Sequence, residues 1–114
     1  MDDNILLIEK MKLNVKESLI LAKKAHDLIF EEDKTTIALA YLSKSTALMK
    51  SAEALYYARF DILARNEAED IFTQFEVFSH EFLTNVETDH SHQWTDIEFE
   101  RLIELSEYTP FSIT

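Results

Sequence analysis

The stretch IALAYLSKSTALMKSAEALYYARFDIL, residues 37–63, decides the fold that this sequence predicts. Its apolar and small residues recur at alternating spacings of three and four, which is the spacing of one face of an α-helix. Two such faces lie side by side, and together they form an arc too wide for a helix that contacts a core from one side only. We therefore expect a central helix that packs against at least two neighbours.

The composition excludes several classes of protein. The chain has 114 residues, no glycine and a single proline, which argues against tight hairpin turns and glycine-rich phosphate loops. The absence of cysteine excludes disulfides and thiolate sites and favours a reducing compartment. No apolar run reaches the roughly 20 residues that span a bilayer, and the N-terminus is acidic where a signal peptide is basic. We expect one cytoplasmic domain, residues 1–114, with no membrane association.

The net charge of −11 is confined to the second half of the chain. Residues 1–65 contain ten acidic and ten basic side chains, whereas residues 66–114 contain twelve acidic side chains and one basic one, Arg101. Phosphate backbones are bound through clustered Lys and Arg, so this distribution argues against direct nucleic-acid binding. Two interpretations of the acidic half remain open. It is either a solvated surface that keeps a small protein soluble, or a mimic of nucleic acid or docking surface for a basic partner.

Polar breaks and capping residues divide the chain into four helices. The segment EEDK at residues 31–34 is a short polar break with Asp33 as the expected N-cap of the second helix, and two long helices joined so closely form an antiparallel hairpin. The segment TDIE at residues 95–98 has the pattern of a capping box, with Trp94 and Phe99 as its hydrophobic staple. The prediction is an all-α, antiparallel up-and-down four-helix bundle with helices at about residues 4–31, 34–65, 67–87 and 96–108.

The seams of the predicted helices carry small, polar and aromatic residues. Ala40, Ala47 and Ala54 recur every seven residues, so a neighbouring helix can approach closely along that line. His26 lies on the seam of the first helix and is interpreted as a core or boundary residue bonded to a neighbour. The third helix carries a phenylalanine stripe that is typical of a core: Phe72, Phe75, Phe78 and Phe82.

Three further side chains of the central helix lie outside its two main faces: Leu39, Tyr57 and Phe60. Either they lie under the third and fourth helices, or they form a contact patch for a second subunit. The second alternative predicts a homodimer.

Acids and histidines near the end of the third helix are the best candidates for a metal site. Glu76 and His80 are four residues apart on one helical face, and His90 and His92 add imidazole ligands from the polar connection at residues 88–93. A divalent metal is one hypothesis, and a solvated loop that happens to contain histidine is the other. No other cofactor is predicted.

The segment SAEALYYARF, residues 51–60, resembles the Ala-Tyr-Tyr-Ala-x-Phe stretch of HEPN-type helical domains, and the order of the helices is similar as well. Active HEPN ribonucleases carry an Arg followed four to six residues later by a His, whereas Arg59, Arg65 and Arg101 have no such partner. The resemblance therefore implies a non-catalytic member, paired with another protein such as a nucleotidyltransferase.

The sequence favours a non-enzymatic interaction or regulatory module. There is no glycine-rich phosphate loop, no cysteine nucleophile and no serine in a nucleophile-elbow context. We expect the acidic half, residues 67–107, to be presented to a basic protein partner. The alternatives are a metal-binding or metal-dependent helical enzyme, and a non-catalytic HEPN-like protein associated with a nucleotidyltransferase or a nucleic-acid system.

Overall fold

The computed structural model describes residues 3–63, 68–88 and 92–113, and within these ranges all regular structure is helical. The all-α prediction is therefore confirmed. The described part of the chain has four long helices and one short one: α1 (Asp3–Leu28), α2 (Thr35–Ala58), α3 (Phe60–Leu63), α4 (Glu69–Thr88) and α5 (His92–Glu107). None of the helices in these ranges combines the length and apolar character that crossing a membrane requires.

Helices α1 and α2 form an antiparallel hairpin, joined at its centre by two serines. Ser18 Oγ donates to the carbonyl oxygen of Ser45 at 2.7 Å, and Ser45 Oγ donates to the carbonyl oxygen of Ser18 at 2.6 Å. Towards the N-terminal end of α1, Asn14 Nδ2 donates to Ser51 Oγ at 3.2 Å. Because residue numbers rise along α1 as they fall along α2, the two helices run in opposite directions. The small serine side chains allow their backbones to approach closely.

The turn between α1 and α2 differs from the prediction. Helix α1 ends at Leu28 instead of residue 31, and the chain then turns through hydrogen bonds from Glu31 N to Leu28 O and from Lys34 N to Glu31 O. Asp33 is not the N-cap of α2; it has a positive φ of 61°. The cap position is Lys34, which makes no side-chain capping bond. A short polar Asp is one of the few residues that tolerate the left-handed region, and here that tolerance sets the turn.

The central helix is shorter than predicted, because it breaks near its C-terminal end. Helix α2 ends at Ala58, Arg59 leaves helical geometry with φ −127° and ψ 49°, and α3 follows from Phe60. The amide of Leu63 bonds to Arg59 O, and the side chain of Leu63 is fully buried. Leu63 is thus buried, as its helical spacing predicts, although the helix is interrupted four residues before it. The predicted start of the third helix, at about residue 67, lies outside the described ranges.

Helix α5 begins a turn earlier than predicted, at His92 instead of Asp96. Thr95 is not an N-cap. It lies inside the helix, is fully buried, and accepts a hydrogen bond at Oγ1 from Asn85 Nδ2 of α4 at 3.1 Å. The residues that resemble a capping box therefore join α4 to α5. Packing against α4 extends α5 towards its N-terminus, beyond the position that the local sequence marks as the start of the helix.

The α4/α5 pair packs against the α1/α2 hairpin through contacts on both helices. On the α2 side, Tyr56 Oη donates to Glu69 Oε1 at 3.1 Å. On the α1 side, His26 Nε2 lies 2.7 Å from Asp96 Oδ1, and the His26 ring stacks on Phe99 with centroids 4.3 Å apart. His26 is thus a boundary residue bonded to a neighbour, as predicted. The buried cluster draws on every helix and includes the predicted stripe: Phe72, Phe75, Phe78 and Phe82.

Candidate functional site

An open groove of about 580 Å³ lies between α4 and α5 in the acidic half. Residues one helical turn apart line it from each helix, so the two walls face one another. Trp94 lies in the α5 wall with 53% of its surface exposed. The lining residues are Glu76, Val77, His80, Glu81, Trp94, Glu98 and Arg101.

Glu98 fixes the α5 wall of this α4/α5 groove. Its Oε1 accepts from Arg101 Nη1 at 2.7 Å, and its Oε2 accepts from Gln74 Nε2 of α4 at 3.0 Å. The glutamate side chain is 12% exposed and the arginine side chain 62% exposed. The carboxylate of Glu98 is therefore held between α4 and α5, whereas the guanidinium of Arg101 extends towards solvent.

Glu76 connects the α4 wall to the first hairpin. Its Oε1 accepts from Lys50 Nζ at 2.8 Å, and Lys50 also lies 3.4 Å from Glu53 Oε2. The hydrogen bond to Glu76 raises the pKa of Lys50, and Coulombic attraction to Glu53 acts in the same direction. All three side chains are partly or well exposed, so this network adds little to stability and leaves the rim of the groove accessible.

Two of the four predicted metal ligands, Glu76 and His80, lie together in this groove. His92 does not join them: it begins α5, and its ring stacks on Phe30 with centroids 3.4 Å apart. His92 comes after the C-terminal end of α4, and that end lies eight residues, or roughly 12 Å along the helix axis, from His80. His90 lies outside the described ranges. Among the residues that are described, no three His, Asp or Glu side chains are close enough to hold a metal ion, and the metal hypothesis stays a prediction.

The structure brings together only two of the three residues that were predicted to form a subunit contact. Tyr57 and Phe60 are 55% and 49% exposed, and their rings stack with centroids 6.5 Å apart. Tyr56 contacts both rings edge-on. Leu39 is half-buried against the core and lies 18 residues from Tyr57 on α2, roughly 27 Å along the axis. Tyr57 and Phe60 therefore form one small aromatic patch, and Leu39 belongs elsewhere.

Trp94 is the residue whose place in the site the sequence reasoning missed. Its position before the supposed capping box assigned it to a staple. The spacing of Trp94, Glu98 and Arg101 at i, i+4 and i+7 places all three residues on one face of a helix, provided that the helix begins before residue 94. The start of α5 was the missing information.

Comparison with known proteins leaves the chain without an assigned family: no protein-family model, curated protein or solved structure matches it. The HEPN resemblance therefore stays a prediction. Its ten residues span the end of α2 and the break at Arg59, whose Nε lies 3.4 Å from Asp61 Oδ1.

Proposed function

We propose that this chain is a non-enzymatic interaction module, built as an antiparallel up-and-down four-helix bundle, that presents its α4/α5 hairpin to a basic protein partner in the cytoplasm. The observation that supports this proposal best is Trp94, an indole more than half exposed beside glutamates in an open groove. A large aromatic side chain exposed at that level in a concave acidic surface is typical of a recognition site.

The groove suits a Lys or Arg side chain of the partner. The aliphatic stem of such a side chain packs on Val77 and the indole of Trp94, and its cationic head lies over the ring or between the carboxylates of Glu76 and Glu81. A cation–π contact at an exposed site contributes about 0.5–1 kcal/mol. One side chain therefore binds weakly, and a useful affinity requires a partner with several basic residues along α4 and α5.

The charges around the groove support the same partner. Exposed acids continue along both helices, with Glu69 and Asp70 at the start of α4 and Glu100, Glu104 and Glu107 along α5. Their field attracts cations over about a Debye length, roughly 10 Å at 0.1 M salt. We therefore expect association that is fast at low salt and weakens steeply as salt is added.

The test measures the anisotropy of a fluorescently labelled short peptide that alternates Arg and Ser, titrated with the full chain at low salt. Trp94→Leu removes the ring, and Glu76→Gln removes one groove carboxylate. We expect each to weaken binding about two- to fivefold, which is the equivalent of about 0.5–1 kcal/mol. Glu107→Gln is the matched control, since it removes one exposed glutamate outside the groove.

The comparison between variants separates a site from general charge attraction. If Glu107→Gln weakens binding as much as Glu76→Gln and Trp94→Leu has no effect, the peptide responds only to net charge and the groove is not a recognition site. No binding at low salt would remove the basis of the proposal.

A further inference from the structure

The side of the first hairpin that faces away from α4 and α5 is unusually apolar for a solvent-exposed surface. Leu6, Leu13 and Ile20 follow one another at seven-residue intervals on α1, with 49%, 49% and 44% of their surfaces exposed. Ile37 at the start of α2 is 44% exposed. The alanines at positions 40, 47 and 54 are exposed as well. We call this surface the outer face.

The outer face lies opposite the α4/α5 pair on both helices. Contacts of α1 with α5 are made through His26, and at 100° per residue Ile20 points about 120° away from it. Helix α2 contacts α4 through Tyr56, from which Ala47 points about 180° away, and through the long side chain of Lys50, from which Ala47 points about 60° away. The helix that the alanine line was predicted to receive is thus not supplied by α4 or α5.

The outer face is continuous across the seam between α1 and α2. Lys24 Nζ lies 5.6 Å from the centre of the Tyr41 ring, so a side chain of α1 covers one of α2. Lys24 is one turn after Ile20, and Tyr41 is one turn after Ile37, so both isoleucines adjoin this contact. The two helices therefore present a single surface.

We propose that a second copy of this chain covers the outer face, with α1 of each copy lying on α2 of the other. The face is self-complementary, because it carries a line of large side chains on α1 and a line of alanines on α2 with the same seven-residue repeat. A twofold axis parallel to the helices brings each large line onto the other copy's alanine line. Both lines are then covered at once.

The heights of the residues fit this pairing. The bonds from Ser18 to Ser45 and from Asn14 to Ser51 place Leu13 level with residues 50–52 and Ile20 level with residues 43–45. A twofold axis parallel to the helices preserves these heights. Leu13 therefore falls between the second copy's Ala47 and Ala54, and Ile20 falls between its alanines 40 and 47. Large side chains entering gaps between small ones is the pattern of tightly packed helices.

Area also favours a second copy over other occupants. The first 65 residues together carry equal numbers of acids and bases, and the acidic α4/α5 pairs end on opposite sides of the dimer. Helix α1 has 26 residues, roughly 39 Å, and two helices side by side are roughly 18–20 Å wide. Such a face buries roughly 1,400 Å² over two copies, within the range of stable interfaces.

Sedimentation equilibrium of the full chain tests the proposal. We expect wild-type protein to have twice the 13.3 kDa chain mass, and Leu13→Glu combined with Ile20→Glu to raise the dissociation constant at least about tenfold with unchanged helix content. Val77→Glu with Leu83→Glu is the matched control, because these α4 residues are each 43% exposed. The control is expected to remain dimeric.

A second measurement tests the pairing of α1 with α2. The chain has no cysteine, so one copy carrying Ile20→Cys can be mixed with another carrying Ala47→Cys and oxidised mildly. We expect the mixed disulfide to exceed both self-linked products. Self-linked products in excess, a monomeric wild type, or a dimer that survives Leu13→Glu with Ile20→Glu would each overturn the proposal. So would a dimer that dissociates only when Tyr57→Glu and Phe60→Glu are introduced.

Discussion

At the scale of single residues, Ser18 and Ser45 determine how closely α1 and α2 approach. Both are fully buried, and each hydroxyl donates to the other helix's backbone. Ser18→Ala should cost about 1 kcal/mol of unfolding free energy, since it removes one buried hydrogen bond. Ser18→Val should cost about 1–3 kcal/mol more, because the added methyl groups have no space between the backbones.

Urea unfolding of the serine variants, compared with Ser43→Val at an exposed position of α2, measures these costs. The control should change stability by only a few tenths of a kcal/mol. Equal effects of alanine and valine at position 18 would show that the hairpin is not closely packed there.

Tyr56 gives the protein a specific sensitivity to alkaline pH. Burial, together with its hydrogen bond to Glu69, raises the pKa of Tyr56 to about 12 from its ordinary value of 10.0. The folded state therefore keeps this proton more tightly than the unfolded state. The resulting stabilisation is complete below pH 10 and is lost as the pH rises from about 10 to about 12.

Tyr56→Phe should abolish that part of the alkaline loss. At neutral pH we expect the variant to be less stable by about 1 kcal/mol, because the hydrogen bond to Glu69 is removed. The difference between wild type and variant should then shrink as the pH approaches 12, which thermal melts over this range would show. A difference that stays constant would mean that Tyr56 titrates normally.

At the scale of the helices, the start of α5 separates local sequence signals from packing. An N-cap at position 95 would accept aspartate without loss, since Asp is among the best N-cap residues. In the structure Thr95 is fully buried against Asn85, so Thr95→Asp places a charge in the core and should cost about 2 kcal/mol or more. Denaturant unfolding, with Thr95→Ser as the control, decides between the capping and the buried interpretations of Thr95. If Thr95→Asp left the free energy of unfolding unchanged, the capping interpretation would be restored.

The helical spacing of the sequence was sufficient for some elements and not for others. It located α2 and the buried phenylalanines of α4, because those residues recur at the period of the helix that they form. It could not locate the break at Arg59, since no glycine or proline marks it. The same limitation affected the site. Glu76 and His80 were identified as neighbours within one helix, whereas the place of Trp94 opposite them depends on how α5 packs against α4.

At the scale of the whole molecule, the uneven charge distribution should make fold stability and partner binding respond to salt in opposite directions. The second half has twelve acidic side chains and only one basic one, so the acidic side chains repel one another, and this repulsion weakens the fold at low salt. Adding sodium chloride from roughly 0.01 M to 0.3 M screens these charges. If this screening raises the free energy of unfolding by about 1 kcal/mol, the melting temperature should rise by about 4 °C.

The same addition of salt should weaken binding of the arginine peptide, because the carboxylates that destabilise the fold are those that attract it. Glu100→Lys tests the connection. It replaces like-charge contacts with Asp96 and Glu104, one turn away on each side, by attractive ones, and should stabilise the fold by about 0.5–1 kcal/mol. Glu9→Lys makes the same charge reversal beside Lys12 in the neutral half and should destabilise it slightly. Were both reversals to stabilise equally, net charge alone would govern stability. A melting temperature that fell with salt would instead show that the acids of α4 and α5 are mostly paired within the fold and are not held available for a partner.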